Sequence, residues 1–379
     1  MAAFATNGAL PASLLARYAE VKEALEINPA VFGLMVVGYG VGGTLAMHLP
    51  GVIARWLGVT RAASYGTVWI GLAFTLAAAG VALANPWVVL VGLICAGAGD
   101  AVVDVAQNSQ GIRVQVAYGR SLLNSMHAGW SIGAAAGGGV GTLAAMAGVP
   151  LLTHMSIWAL VCMVTMWLSA RAFLPEPRLS LDTDPHSPQA PRRWSTVKVL
   201  LPLALVALAG ISVEDFGNNW SAVLLATERD MSTASAGVGL TVLLGAQFIG
   251  RLLGDRAIDR IGDRAALLIS LCAVLGGLLT VAWAPNAPLT LAGLAAAGLG
   301  CAITVPVAFA RADAVPGLPP HSGVTWISWT MRTVSIGLSP TIGGLSSAFT
   351  LPIAVTAVTS IAVAALVLQL RAPRRSAQG

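Results

Sequence analysis

Ala96-Gly97-Ala98-Gly99-Asp100-Ala101-Val102-Val103-Asp104-Val105-Ala106-Gln107-Asn108 is the stretch whose reading decides the rest of this chain. Asp100, Asp104 and Asn108 recur every four residues, which lines them along one face of a single helix. Around them stand Val, Leu, Ala and Gly, with a long apolar lead-in from Trp87. A carboxylate on such a helix is expensive in lipid, so it faces a protein interior or a water-filled cavity. The stretch predicts a membrane helix with a polar stripe turned away from lipid.

The composition agrees. Hydrophobic residues make up 56% of the chain and charged ones 10%, against ~25% charged in ordinary soluble domains. Mean hydropathy is +0.78. This is the profile of an integral membrane protein. The 42 glycines suit closely packed membrane helices and argue against a transmembrane barrel, which would show short alternating segments. A net charge of +5 does not indicate nucleic acid here, because the basic residues sit in short loops between apolar runs. Cys95, Cys162, Cys272 and Cys301 all fall inside apolar runs without zinc-ligand spacing and read as small core residues.

Runs of spanning length lie at 30–48, 63–84, 87–110, 121–146, 150–171, 197–222, 234–252, 264–284, 288–311, 323–347 and 350–370. Before them, Met1 to Ala16 is an apolar run too short to cross a ~30 Å core. It reads as the outer part of a first helix whose start lies upstream. Counting it first gives twelve spans, numbered in chain order. The longest connection carries Pro175, Pro177, Pro185, Pro188 and Pro191. The expected organisation is therefore a helical bundle over 1–173, a polar linker over 174–196 and a second bundle over 197–379, with a site between the two at the membrane midplane.

Most of the basic residues fall on one side: Arg55 and Arg61, Arg113 and Arg120, the group around the linker, Arg251 to Arg264, Arg311, and Arg371 to Arg375. The positive-inside rule makes that side cytoplasmic and places both ends of the intact chain there, in a cytoplasmic membrane. Trp87 and Trp220, near span ends, are expected as interfacial anchors.

Sorted by span, the polar groups form a pattern. The fourth span carries Asp100, Asp104 and Asn108, the fifth Asn124 and His127, and the seventh Glu214, Asp215, Asn218 and Asn219. The eighth carries Gln247, the eleventh Arg332 and the partial first Asn7, whereas spans 3, 6, 9 and 12 are free of charge in their central portions. Every third helix is thus clean enough to face lipid, and the others surround a central polar cavity. Counting along the helices places Asp100 and Arg332 near the midplane. Glu214, Asp104 and Asp100 are candidates for carrying a proton. Arg332, Asp100, Asn7, Asn218, Asn219, Asn124 and His127 are candidates for touching a substrate. Arg332 should find either Asp100, as a gate between the halves, or an anionic substrate group. Gly129, Gly133, Gly137 and Gly141 form a four-residue seam for close helix packing, expected where the halves move.

Together these features resemble the major facilitator superfamily, over essentially the whole chain. Gly254-Asp255-Arg256-Ala257-Ile258-Asp259-Arg260-Ile261-Gly262 is similar to that superfamily's cytoplasmic loop signature, and Gly51 to Gly58 keeps Arg55 of the first-half copy but no acid. Asp104-x-x-x-Asn108, Gly119-Arg120, His127 and Trp130, with Glu214 leading to Trp220-Ser221-Ala222-Val223, resemble a fucose-permease-like bacterial branch. The resemblance implies an all-α integral membrane protein of two six-helix bundles working by alternating access, often with protons. It implies a latch at Asp255, Arg256, Asp259 and Arg260.

The resulting expectation is a secondary transporter of a small polar solute, sugar-like or another metabolite, driven by protons and monomeric in the lipid bilayer, with an exporter of drugs or metabolites as the alternative. No nucleotide-binding loop, HExxH motif or Ser/His pair stands in the sequence, so neither ATP-driven pumping nor enzyme chemistry is expected, and no cofactor or metal.

Overall fold

The computed structural model describes residues 1–119, 123–175, 194–313, 315 and 322–371. The side chains of Asn124, His127 and Asp255 are among those outside the description, as are Arg120 and most of the expected linker. The described residues form helices α1 (Ala2–Leu15), α2 (Tyr18–Ala24), α3 (Pro29–Val36), α4 (Gly38–Leu45), α5 (Leu49–Leu57), α6 (Val59–Ala82), α7 (Pro86–Tyr118) and α8 (Leu123–Met146). There follow α9 (Leu151–Ala170), α10 (Trp194–Glu228), α11 (Val238–Ile261), α12 (Asp263–Trp283), α13 (Ala287–Cys301), α14 (Thr304–Asp313), α15 (Ser322–Ala348) and α16 (Leu351–Arg371). Six of these, and α13 with α14 taken together, are long and apolar enough to cross a bilayer, and the bent run from Pro29 to Leu57 supplies an eighth span.

All twelve expected runs are helical, with four departures in detail. The second run breaks into α3 and α4 and bends by 60° into α5. The tenth breaks into α13 and α14 at Ala302–Ile303. The fourth continues past residue 110 to Tyr118, so Arg113 lies on the helix and not in a loop. Nothing before Gly119, in a left-handed cap at φ 64°, can stop it. The helix of the eighth run likewise extends to Ile261, because Asp255 to Arg260 contains no breaker and Gly262 is the first. Arg256 and Arg260, expected in a loop, are therefore intrahelical residues.

Several helices start in the same way. Asn28 and Asn85 stand directly before Pro29 and Pro86 and accept backbone N–H groups of Val31, Trp87 and Val88. Asn286 does this for Leu289, with Pro288 in the first turn. The side-chain oxygen satisfies an orphan donor, and the proline lacks the N–H that would need another. Gly58 (φ 81°, ψ 154°) and Gly262 (φ 80°, ψ 154°) start α6 and α12 in the same backbone conformation, one that only glycine adopts at ease. The two signature loops are thus one backbone device, used once in each half.

Helices α1 to α9 pack on one another, as do α10 to α16, and the two groups meet along two seams, α3 with α15 and α8 with α11. The seams close on the side opposite the arginine-rich one. A Cβ at Gly33 would strike the Ser339 carbonyl, and one at Gly343 the Pro29 carbonyl. The glycine row of α8 plays another part than expected. Gly133, Gly137 and Gly141 lie against the carbonyls of Ala5, Ala9 and Ser13 on α1, inside one bundle. Gly138, on the next face, looks across to Thr241. The row brings two backbones together within a half, and only its neighbour belongs to the moving seam.

The third, sixth, ninth and twelfth spans (α6, α9, α12 and α16) carry large exposed apolar side chains such as Leu72, Leu160, Ile269 and Val367, the surface that lipid would cover.

Candidate functional site

Between the two groups of helices lies a cavity of about 820 Å³, lined from α1, α4, α6 and α7 on one wall and from α10, α14 and α15 on the other. Its charged residues are Asp100, Asp104, Asp215 and Arg332. Asn218 and Asn219 add amides, and Tyr18, Tyr39 and Trp329 add aromatic faces.

Asp100 is placed by a close crossing of α4 and α7. Gly42 sits on the Ile94 carbonyl and Gly97 on the Tyr39 carbonyl, so side chains of α4 reach the acid on α7. Its polar neighbours are Tyr39 and Asn7, and Asn7 is itself buried on α1. One turn on, Asp104 accepts from the Asn108 amide at 3.0 Å. Asp215 is held the same way, by Asn219 at 3.1 Å, and also accepts from Ser339 at 2.8 Å. An asparagine four residues beyond an aspartate is a helix-compatible donor that helps to orient the carboxylate.

The cavity ends, on the side away from the arginines, at a stack of three rings. Tyr18 meets Phe32 edge-on at 5.5 Å between ring centres, and Phe32 meets Trp220 edge-on at 5.2 Å. All three are almost completely buried, and they come from α2, α3 and α10, so the stack joins the two halves. Trp220 is therefore not the interfacial anchor expected of it, while Trp87, 73% exposed, suits that role. Proximity to a span end is a weak guide when helices from the other half pack over it. In the other direction the cavity runs to Met47, Pro50 and Ser328, near the arginine-rich ends of their helices.

Glu214 and Arg332 differ in their surroundings. Glu214 does not line the cavity. It points to α11, where it accepts from Gln247 and pairs with Arg251 at 3.2 Å. The neighbouring Asp215 faces the cavity instead, since consecutive helical positions diverge by ~100°. The Asp100–Arg332 pair is not formed in this conformation either. Arg332 lines the cavity, and among the described residues it makes no ion pair or hydrogen bond.

Arg251 also donates to Ser131 of α8 at 3.1 Å, so it ties Glu214 in one half to a hydroxyl in the other. The expected latch residues Arg256, Asp259 and Arg260 are exposed, and among the described residues they form no ion pair. On that side the charged tie is Arg311 with Asp263 at 2.9 Å, reinforced by Gln369 at 3.1 Å. Asn124, His127 and Asp255 lie outside the described side chains.

The sequence reading missed one further cluster. Arg17, only 2% exposed, grips Glu20 with two nitrogens at 2.7 and 2.8 Å, donates to the Val149 carbonyl at 2.9 Å and lies 3.2 Å from His154. His154 in turn contacts Ser13 at 3.0 Å. In the linear chain Arg17 looks like a loop cation. The i,i+3 spacing to Glu20 was the one available signal.

The sequence profile of the Major Facilitator Superfamily matches residues 1–340. The chain belongs to this superfamily. Among its relatives, an uncharacterized MFS-type transporter of Yersinia pestis is 29% identical over 339 residues, covering 86% of this chain and 84% of that protein. Membrane protein MosC of Rhizobium meliloti is 25% identical over 350 residues, covering 91% of this chain and 82% of that one. Solved structures with the same fold include the nucleoside transporter NupG, with a TM-score of 0.75, 13% identity and 97% of each chain covered. The fucose:proton symporter of E. coli also superposes, with a TM-score of 0.59, 16% identity, and 98% of this chain and 96% of that one covered. The protein is an all-α, multi-pass membrane transporter of this superfamily. Its cavity lies where the superfamily member's two halves face each other.

Proposed function

We propose that this superfamily member is a proton-coupled secondary transporter of a small polar solute, working by alternating access in a bacterial cytoplasmic membrane. The observation that carries the reading is the cavity itself: about 820 Å³, with walls from both halves and three carboxylates. Groups so costly to place in a membrane interior mark solute and proton pathways. The ring stack closes one end and the cavity continues toward the arginine-rich side, so the conformation is the inward-facing one. Nucleoside and sugar–proton transporters share the fold, which makes sugars and nucleosides sensible first solutes. Asp100, Asp104 and Asp215 are the carboxylates that water and solute reach together, and they take the coupling role. Glu214, engaged by Arg251, acts as a tie between helices. The arginine-rich face at Arg256, Asp259 and Arg260 engages as a latch in the opposite conformation.

The test uses the full chain in proteoliposomes holding an internal pH dye. A panel of sugars, nucleosides and amino acids is added outside. Solute-dependent acidification of the lumen, lost in Asp100→Asn or Asp215→Asn while solute exchange persists, supports the reading. Solute exchange without any proton movement removes the coupling. Absence of both removes transport of these classes.

A further inference from the structure

Arg332 differs from the guanidinium groups that are tied to protein acceptors. Arg17, Arg229, Arg251, Arg264 and Arg311 each have fixed protein acceptors: carboxylates, hydroxyls or helix-end carbonyls. Arg332 has none among the described residues and lies in the cavity wall on α15. Three carboxylates line the same cavity, yet none neutralises it. Asp215 accepts from Ser339 and Asn219, Asp104 accepts from Asn108, and Asp100 has Tyr39 and Asn7 as polar neighbours on the far half. The guanidinium fork is presented to the cavity.

The charges are also unevenly divided between the halves. The first half contributes two acids, Asp100 and Asp104 on α7, and the second contributes Arg332 on α15 with a single acid, Asp215 on α10. A purely anionic solute would satisfy Arg332 and be repelled by the α7 acids. A purely cationic solute would be drawn to those acids and leave Arg332 without a counter-charge. A neutral solute would exploit neither. A solute with both charges satisfies both walls at once, and by doing so draws the halves together.

We infer that the cavity selects small zwitterionic solutes, amino acids in the chemical sense, with the acid group in the fork of Arg332 and the ammonium group on the α7 carboxylates. A planar carboxylate matches the guanidinium donors two for two, which a hydroxyl cannot do. An ammonium group carries three donors and no acceptor, which suits a wall of carboxylate and amide oxygens. The volume is within the ~300–1,000 Å³ of small-molecule sites and leaves room for a hydroxylated body over Asn218, Asn219 and the ring of Trp329. The inference rests on the cavity being the transport site and deepens that reading by naming the class of solute.

Four probes of one carbon skeleton separate the possibilities: sorbitol (neutral), gluconate (anion), glucosamine (cation) and glucosaminate (zwitterion). Ligand-induced rise in melting temperature of the purified full chain gives the affinity order, since a ligand of the folded state stabilises it. Glucosaminate should bind most tightly. Arg332→Gln should weaken it by about tenfold or more, the effect of losing a charge-assisted hydrogen bond, and leave glucosamine unchanged. Asp100→Asn should do the reverse, sparing gluconate. Arg332→Lys should restore part of the loss, which a folding defect would not. Equal binding of sorbitol, an unchanged response of Arg332→Gln, or no response to any probe would overturn the assignment. Uptake of glucosaminate into proteoliposomes by Arg332→Gln at the wild-type rate would leave transport standing and remove only the charge matching.

Discussion

Ser339 donates its hydroxyl proton to Asp215 at 2.8 Å and accepts the indole N–H of Trp220 at 3.1 Å. The direction of both bonds is forced. An indole nitrogen only donates, so the serine oxygen must accept from it, and the one serine proton is left for the carboxylate. A cavity acid is thereby connected through α15 to the ring stack that closes the cavity, and through Phe32 and Tyr18 to the other half. The gate and the acid share one hydrogen-bonded chain.

Replacing Ser339 by Ala should cut that chain. The Trp220 N–H would be left buried without an acceptor, a loss of about 1–3 kcal/mol. The expected outcome is a lower melting temperature together with faster maleimide labelling of a cysteine placed at Met35, a buried residue of α3. A melting change with unaltered labelling would confine Ser339 to structural support.

Arg251 and Glu214 should behave as a coupled pair. Glu214→Gln and Arg251→Gln each remove the ion pair, so the double variant should lose less stability than the two singles added. For residues in contact the coupling is about 0.5–3 kcal/mol. Additive losses would show that the 3.2 Å contact carries no energy.

Arg17 should matter more for folding than for transport. It is almost fully buried against Glu20, His154 and the Val149 carbonyl. Arg17→Ala leaves those acceptors without their donor, and breaking a buried pair in this way costs about 3–5 kcal/mol. Poor yield and a clear fall in melting temperature are expected. A variant that melts like the native protein would contradict the packing described.

Two glycines of α8 only two residues apart should respond oppositely. A side chain at Gly137 would fall on the Ala9 carbonyl, so Gly137→Leu should prevent assembly of α1 against α8. Gly139 has open space around it, and Gly139→Ala should be neutral or stabilise the helix, by up to about 1 kcal/mol. Melting curves of the two variants decide it.

The chain by itself determined a great deal. Twelve apolar runs, the arginine bias and the polar linker specify membrane helices and their order, because in lipid each helix satisfies its own backbone and hydropathy is a local property. The four-residue repeat of Asp100, Asp104 and Asn108 placed a polar stripe correctly for the same reason. Tertiary structure decided what lies opposite each stripe. Glu214 and Asp215 are neighbours in sequence, and only the positions of α11 and α15 send one to Arg251 and the other to the cavity. Trp220 became part of a closing stack because Phe32 and Tyr18 arrive from the other half. Arg332 lines the cavity without an ion pair among the described residues, an outcome that depends on where α7 and α10 place their acids. Helical periodicity fixes the direction of a side chain relative to its own helix, whereas its partner depends on packing between segments hundreds of residues apart.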